Sequence, residues 1–434
     1  MTDTAVPTAT PPATATDRAA GARFVVEDSP EEAAFRAEAR AFLQSVAEPR
    51  GAGGAAASFF ARADNSPEAH ARHAEESRRW QRVLFDHGWA GISVPVEYGG
   101  RGGAGWQERI FKQEQGRTVL DTSLFSVGLG MVLPTILVHG TEEQKRRYVP
   151  AMLRGDDAWC QLFSEPGAGS DLAGLTTRAV RDGESWIVNG QKVWNSSAHQ
   201  ADLGILLART DVDVPKHRGI TYFLLDMHTP GVEVRPLVQA TGVAHFNEVF
   251  LTDVVVPHDA VLGEVNGGWA VTQTTLMNER NLIGSGGTGV GLGDYLRMAR
   301  ETGANADPVV RQALADAFVH AEIIKYLGAR SQAAARAGKL PGPESSVLKL
   351  NASVHAARMG DLGLMVQGAA GMLTGPDAHR DGMFQQMFVG QWGMRIGGGT
   401  ENIQRNVIGE RVLGLPGEPR PDKTAPFKDL PKNV

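Results

Sequence analysis

The sequence predicts an α+β multidomain fold: an N-terminal helical domain, a middle β-barrel and a C-terminal four-helix bundle. Capped helix starts and apolar residues at helical spacing fill the first third. Short β-rich runs, separated by turn residues at barrel-like spacing, fill the middle. Helical spacing returns from Trp269. At 434 residues the chain is too long for one compact core. The pattern changes divide it into a leader (1–28), a helical domain (29–155), a β-barrel domain (156–265), a helical bundle (266–415) and a surface tail (416–434).

Residues 1–21 are rich in Ala, Thr and Pro and lack a continuous apolar run. They read as a disordered leader, not as a signal peptide. Ser29-Pro30-Glu31-Glu32 combines an N-cap, a proline at N1 and a carboxylate at N3, which is a capping box. Phe35, Ala39, Phe42 and Val46 follow at helical spacing. Ser66-Pro67-Glu68 and Thr141-Glu142-Glu143-Gln144 open further helices. Residues 122–140 approach membrane-spanning length without a formal charge, but Pro134 and several glycines interrupt them. They read as a broken, buried core helix and not as a membrane span.

In the middle third, Trp186-Ile187-Val188, then Asn189-Gly190, then Gln191-Lys192-Val193-Trp194 reads as a hairpin with a type I′ turn. Residues 203–208, 220–225, 232–238 and 249–256 read as strands. Further on, Asp307-Pro308 starts a long helix ending near Gly338, and residues 345–366 and 400–413 form others. The composition, 42% apolar and 21% charged, is that of an ordinary soluble globular protein. A net charge of −6 leaves no basic footprint for nucleic acid. A single cysteine, Cys160, forbids an intrachain disulfide and fits a reducing cytoplasm.

Four segments carry candidate chemistry. In Gln161-Leu162-Phe163-Ser164-Glu165-Pro166-Gly167-Ala168-Gly169-Ser170-Asp171, the glycines let backbone approach a ligand, and free N–H groups can cradle phosphate. Ser164 and Ser170 add hydroxyl donors; a plain surface turn has the same composition. Trp194 ends a hairpin strand, where its flat face can stack on a ring or fill the barrel core. Ser196, two residues on, points to the same side. Glu279-Arg280 lies within a helix; its side chains point about 100° apart, so one can face a pocket while the other braces a neighbour. Gly397-Gly398-Gly399 leads into a helix with Thr400 at its cap, a place that attracts anions.

Together these segments resemble the acyl-CoA dehydrogenase family over nearly the whole chain, from about Pro30 to Leu415. The run Glu165–Asp171 and its distance to Asn189-Gly190-Gln191-Lys192-Val193-Trp194 are the most specific features. The resemblance implies non-covalent FAD, an acyl-CoA substrate and electron delivery to an electron-transfer flavoprotein. Carried over by position, Gln161, Leu162, Phe163, Ser164, Gly169 and Ser170 would line the flavin, with Ser170 also beside the CoA arm. Trp194 would stack on the ring, with Asn195 and Ser196 at its edge. Arg300, Arg311 and Gln312 match positions that reach the FAD of a partner subunit, although Arg300-Glu301-Thr302-Gly303 departs from the usual pattern. Residues 365–369, including Gly368, and the pair Thr400 and Asn402 match further FAD contacts.

Many members place the catalytic glutamate just before the Gly-Thr that opens the last helix. That position here is Gly398, which has no side chain. Members resembling the long-chain and isovaleryl enzymes carry it on a central helix before an arginine, as in Glu279-Arg280. Glu279 is therefore expected to be the base and Arg280 to tune the substrate pocket, with Glu401 as the alternative base. The implied reaction is α,β-dehydrogenation to a trans-2-enoyl-CoA, in a cytoplasmic homodimer or homotetramer, with a heterotetramer possible. The competing readings are an acyl-CoA oxidase, a flavin monooxygenase, or a mainly structural subunit of a heteromeric dehydrogenase.

Overall fold

The structure is a computed structural model and describes residues 28–50, 66–285, 291–336, 342–419 and 423–431. Apart from Asp28, the expected leader lies outside these residues. The helices of the first domain are α1 (Pro30–Val46), α2 (Pro67–Asp86), α3 (Gly105–Gln115), α4 (Leu133–His139) and α5 (Glu142–Arg154). The capping box of α1 forms: the Ser29 hydroxyl accepts the Glu32 N–H at 3.2 Å, and Glu32 accepts the Ser29 N–H at 2.9 Å. Thr141 forms the same box at α5, whereas Ser66 caps α2 by one bond, accepting the Ala69 N–H at 3.2 Å. Beneath α1, Trp89 stacks between Phe42 and Phe111, with centroids 5.2 and 5.0 Å away. The stretch 122–140 is buried through much of its length, and its break is a π-helical turn, Gly128–Val132, leading into α4. Pro134 cannot extend an ordinary i→i−4 ladder, and the widened turn accommodates it. No helix among the described residues is long and apolar enough to cross a membrane.

The middle domain is one curled sheet of seven strands: β1 (Trp159–Leu162), β2 (Arg178–Asp182), β3 (Ser185–Lys192), β4 (Leu203–Arg209), β5 (Ile220–Asp226), β6 (Val232–Leu237) and β7 (Phe246–Pro257). β4 runs parallel to β1 and antiparallel to β5, and both β4 and β5 are buried almost throughout. Alternation along them sends side chains to two cores. Ile205, Leu207, Tyr222 and Leu224 join the core shared with the N-terminal helices. Leu206, Ala208, Phe223 and Leu225 face Val188, Val249 and Val254 inside the curl.

The hairpin expected at Asn189-Gly190 does not form. β3 runs through both residues, and the two-residue turn is Gly183-Glu184, between Asp182 and its partner Ser185. Asn189 instead brackets a β-bulge in β7. Its amide donates to the Asp253 carboxylate and its oxygen accepts the Asp253 N–H, both at 2.9 Å, while Asp253 takes φ 49°. Gly190 is required by proximity: a Cβ there would stand 2.3 Å from Thr177 Oγ1 and 2.8 Å from its Cα. Asn-Gly is a turn signal only when nothing crosses the strand at that point.

The third domain comprises α6 (Gly268–Ser285), α7 (Leu292–Glu301), α8 (Pro308–Arg336), α9 (Ser345–Gln367), α10 (Met383–Ile396) and α11 (Glu401–Val407). Asp307 caps α8 by accepting the Val309 N–H at 2.7 Å. α9 is central: Met359, Leu362 and Val366 pack with Leu314 and Ala317 of α8 and Phe384 of α10. The helix expected over 400–413 changes to a π-helical turn at Ile408–Val412. The tail runs back to the middle domain, where Pro426 bridges to Pro215. G190A should lower stability by about 1–3 kcal/mol through overpacking against Thr177. Chemical denaturation of G190A beside wild type measures this, and an unchanged midpoint would count against the overpacking.

Candidate active site

The glycine-rich loop after β1 is held from below by one carboxylate. Glu165 closes a tight turn with Ala168 by reciprocal backbone bonds of 3.1 and 3.0 Å. Its side chain turns inward and accepts the Thr176 N–H at 2.7 Å, the Thr176 hydroxyl at 2.8 Å and the Thr177 N–H at 2.9 Å. The fully buried Lys192 ammonium donates to Glu165 at 2.8 Å and to the Phe163 carbonyl at 3.1 Å. Burial pushes the Glu165 carboxyl up, but Lys192 and the loop donors outweigh it and hold the carboxyl at about 2. The loop's outer rim is exposed at Gly167, Gly169 and Ser170. Among the described residues, the N–H groups of Gly169 and Ser170 and the hydroxyls of Ser164, Ser170 and Ser196 donate to nothing. These free donors fit a phosphate-bearing ring cofactor.

The Trp194 segment is locked to that loop. Val193 N–H donates to the Ser164 carbonyl at 2.9 Å, and the Asn195 amide donates to the Gln161 carbonyl at 2.7 Å. Asn195 exchanges backbone bonds with Asn247, whose side-chain amide also donates to the Asn195 carbonyl at 2.8 Å. Trp194 does not end a strand as expected: β3 stops at Lys192, and Trp194 and Ser197 take φ 64° and 53°. Strand alternation therefore cannot relate Trp194 to Ser196. A bulky residue in the left-handed region is strained, and here it turns the indole outward, where it is 60% exposed. The edge-to-face contact with Phe246 at 5.9 Å leaves the ring face open for stacking.

α6 brings Glu279 to the same place. The Gln161 amide donates to the Glu279 carboxylate at 3.4 Å, so one residue touches both the Asn195 segment and the candidate base. One turn before Glu279, Thr275 is bonded to the Thr135 hydroxyl and the Tyr222 hydroxyl, each at 3.1 Å. This buried hydroxyl cluster fastens α6 to the first domain and to β5. Burial raises the Glu279 carboxyl, while Gln161, Arg280 and Lys349 oppose the shift. Burial likewise lowers the Arg280 guanidinium, with Glu279 opposing.

Gly398 and Gly399 take φ 64° and 88°, and their N–H groups donate to nothing among the described residues. Gln404 donates to both carbonyls, at 3.0 and 3.2 Å. Lys349, buried on α9, donates to the Gly399 carbonyl at 2.8 Å and the Met394 carbonyl at 3.1 Å. Glu401 is clasped by Arg395 at 2.6 and 3.2 Å, which lowers its carboxyl. A carboxylate paired in this way is a poor proton acceptor beside one raised by burial. Thr400 spends its hydroxyl capping α11, accepting the Ile403 N–H at 3.3 Å.

The three domains carry the matching profiles in order. The acyl-CoA dehydrogenase N-terminal domain matches residues 29–156, the middle domain 160–254 and the C-terminal domain 266–413. The chain belongs to the acyl-CoA dehydrogenase family. It is 42% identical to acyl-CoA dehydrogenase FadE34 of Mycobacterium tuberculosis over 79% of its own length, yet it spans only 46% of that protein. It is 38% identical to acyl-CoA dehydrogenase IpdE1 of the same organism, covering 79% of this chain and 89% of IpdE1. Among solved structures, the Tcur3481-Tcur3483 steroid ACAD superposes with a TM-score of 0.73 at 28% identity, over 90% of this chain and 99% of that one. The ChsE4-ChsE5 complex from Mycobacterium tuberculosis gives 0.71 at 28%, over 91% and 100%.

Within the family frame, Gln161–Ser170, Trp194–Ser196 and Glu279 converge, with Arg280 beside Glu279 on α6. Arg300, Arg311, Gln312, Gly368 and Asn402 instead lie exposed on the helical bundle and make no bond to that cluster. Sequence reasoning missed Asn247, Tyr222, Thr275 and Lys349 as supports. Only Lys349 left a signal, a lone cation between Leu348 and Leu350 in an otherwise weakly charged helix. E165Q would strand the Lys192 ammonium in the core and should cost about 3 kcal/mol at pH 7. E165L/K192M should recover much of that loss in chemical denaturation. Because the folded carboxyl lies below its ordinary 4.5, wild type should lose this advantage as pH falls from there toward about 2.

Proposed function

We propose that the chain binds FAD and oxidises the Cα–Cβ bond of an acyl-CoA thioester to the trans-2-enoyl-CoA, with Glu279 as the general base. The bond from Gln161 to Glu279 carries the reading, because it joins the cofactor loop to a carboxylate made basic by burial. FAD, when bound, supplies the acceptor for the hydride that leaves Cβ, and an electron-transfer flavoprotein then takes the two electrons. Gln161, Leu162, Phe163, Ser164, Gly169 and Ser170 would hold the cofactor with Asn195 and Ser196, and Trp194 would cover its ring. Arg311 and Gln312, with Arg300, would serve the FAD of a partner subunit, and Gly368, Thr400 and Asn402 would add further FAD contacts.

Glu279 takes the α-proton. It does so only if charge developing on the thioester oxygen is stabilised, and the free N–H groups of Gly398 and Gly399 are suited to donate to it. Gln404 holds the Gly398 carbonyl, whose peptide plane carries the Gly399 N–H, and Lys349 and Gln404 hold the Gly399 carbonyl that follows. Gln161, Arg280 and Lys349 limit how far burial raises the carboxyl. Ser170, on the exposed rim, would meet the CoA arm. Relatives described as a steroid ACAD and as a ChsE4-ChsE5 complex favour a steroid-derived acyl group and assembly with a second chain of this fold. Exposed Trp392, Ile396 and Leu413 on the bundle offer apolar surface for such an assembly.

Anaerobic mixing of the purified protein with straight-chain, branched and steroid side-chain acyl-CoAs tests the assignment. Flavin absorbance should bleach with at least one of them. E279Q should keep its flavin and slow bleaching by at least about 100-fold. A colourless protein, or normal bleaching by E279Q, would overturn the reading.

The raised Glu279 carboxyl sets two pH signs. The single-turnover rate should climb with pH as Glu279 loses its proton, and flatten above its folded pKa. Stability runs the other way: a carboxyl raised on folding favours the fold below its ordinary pKa and loses that contribution as pH rises. E279Q should therefore melt above wild type at pH 8, with the gap closing toward pH 4.

A further inference from the structure

We infer that the C-terminal segment Pro426–Leu430 is a strap that positions the cofactor loop through Arg209. The inference rests on the reading of residues 161–178 as that loop. Arg209 ends β4 and is 2% exposed. Its guanidinium donates to the Ala173 carbonyl at 2.6 Å and the Leu175 carbonyl at 3.3 Å, on the returning limb of the loop. Its backbone N–H donates to the Thr177 carbonyl at 2.7 Å. A third donation, to the Lys216 carbonyl at 2.5 Å, ties it to the connection between β4 and β5. That connection also reaches the loop from above, through the Lys216–Asp171 ion pair at 3.0 Å.

Phe427 covers the open face of the guanidinium, with its ring centroid 3.8 Å from Cζ. The segment is pinned there by backbone. Phe427 N–H donates to the Val214 carbonyl at 2.9 Å, Lys428 N–H to the Val212 carbonyl at 3.0 Å, and Pro426 bridges to Pro215. Lys428 adds an ion pair with Asp213 at 2.7 Å, exposed and of little weight.

The physical need for a cover is plain. A buried guanidinium is costly unless its donors and its face are occupied. Arg209 loses hydration, and Glu165 and Asp171 offset this only in part. Its Nε finds no partner among the described residues. The aromatic face opposite supplies a cation–π contact and excludes water. Without Phe427, water reaches the guanidinium and competes for the donors that hold Ala173 and Leu175. Ser170 and Asp171 lie on the same short stretch, so slack there loosens the phosphate-binding rim. Arg209 is a positioning residue, and the tail keeps it dry.

Hydrogen exchange and flavin binding on the full-length protein test this together. In the cofactor-free protein, F427A should speed exchange across residues 167–177 by about fivefold or more, with β5 and β7 unchanged. Its FAD dissociation constant should rise by a similar factor. F427Y should restore both. F427L, which keeps volume without the aromatic face, stands in if F427A does not fold, and should show the same two changes. Unchanged exchange in the loop, or exchange faster everywhere, would overturn the strap. Failure of wild type to bind FAD would instead overturn the reading of the loop, while the exchange comparison would still decide the strap.

Discussion

Glu165 and Lys192 leave water together, and the middle of the molecule is arranged around them. Neither charge could be buried alone; as a pair they are acceptable only because Thr176, Thr177 and the Phe163 carbonyl fill the remaining sites. The geometry that satisfies them dictates the path of the chain from β1 to β2. It folds the acidic end of the loop inward and leaves the glycines and Ser170 on the rim. It also anchors β3, because Lys192 is that strand's last residue. From there the chain can turn sharply, and the strain at Trp194 is held by Val193 on one side and Asn195 on the other.

The chemistry is placed by a different kind of fastening. α6 carries Glu279, but its position is set a turn earlier, where the hydroxyls of Thr135, Tyr222 and Thr275 meet in a buried cluster drawn from three parts of the chain. A carboxylate that must accept a proton near neutral pH needs burial without a tight counter-ion. Glu279 has this environment. Glu401, clasped by Arg395, does not. The two carboxylates are close in type and opposite in environment, and of the two only Glu279 has the environment that the proposed base requires.

Much of this was legible from residues. The capping boxes at Ser29 and Thr141 form because their bonds are local, made within four residues of the chain. The apolar runs of β4 and β5 announce strands covered on both faces. Asn189-Gly190 misled for a physical reason: a local turn signal was overruled by Thr177 pressing on Gly190 and by a bulge in the neighbouring strand β7. Ser196 could not be placed from Trp194 by counting, since the backbone leaves the strand before either residue.

The sequence by itself determined where the capped helices begin and where β4 and β5 run, which loop is built for close approach, and that Gly398 holds no carboxylate. Those properties depend on residue type and short-range geometry. Only the tertiary structure decided that Glu165 faces inward, that Gln161 spans from the Asn195 segment to Glu279, that Lys349 backs the glycine loop, and that the tail returns to cover Arg209. Each of these joins residues separated by tens to hundreds of positions. The choice among them follows from desolvation: a charge or hydroxyl leaves water only where a distant part of the chain arrives to satisfy it.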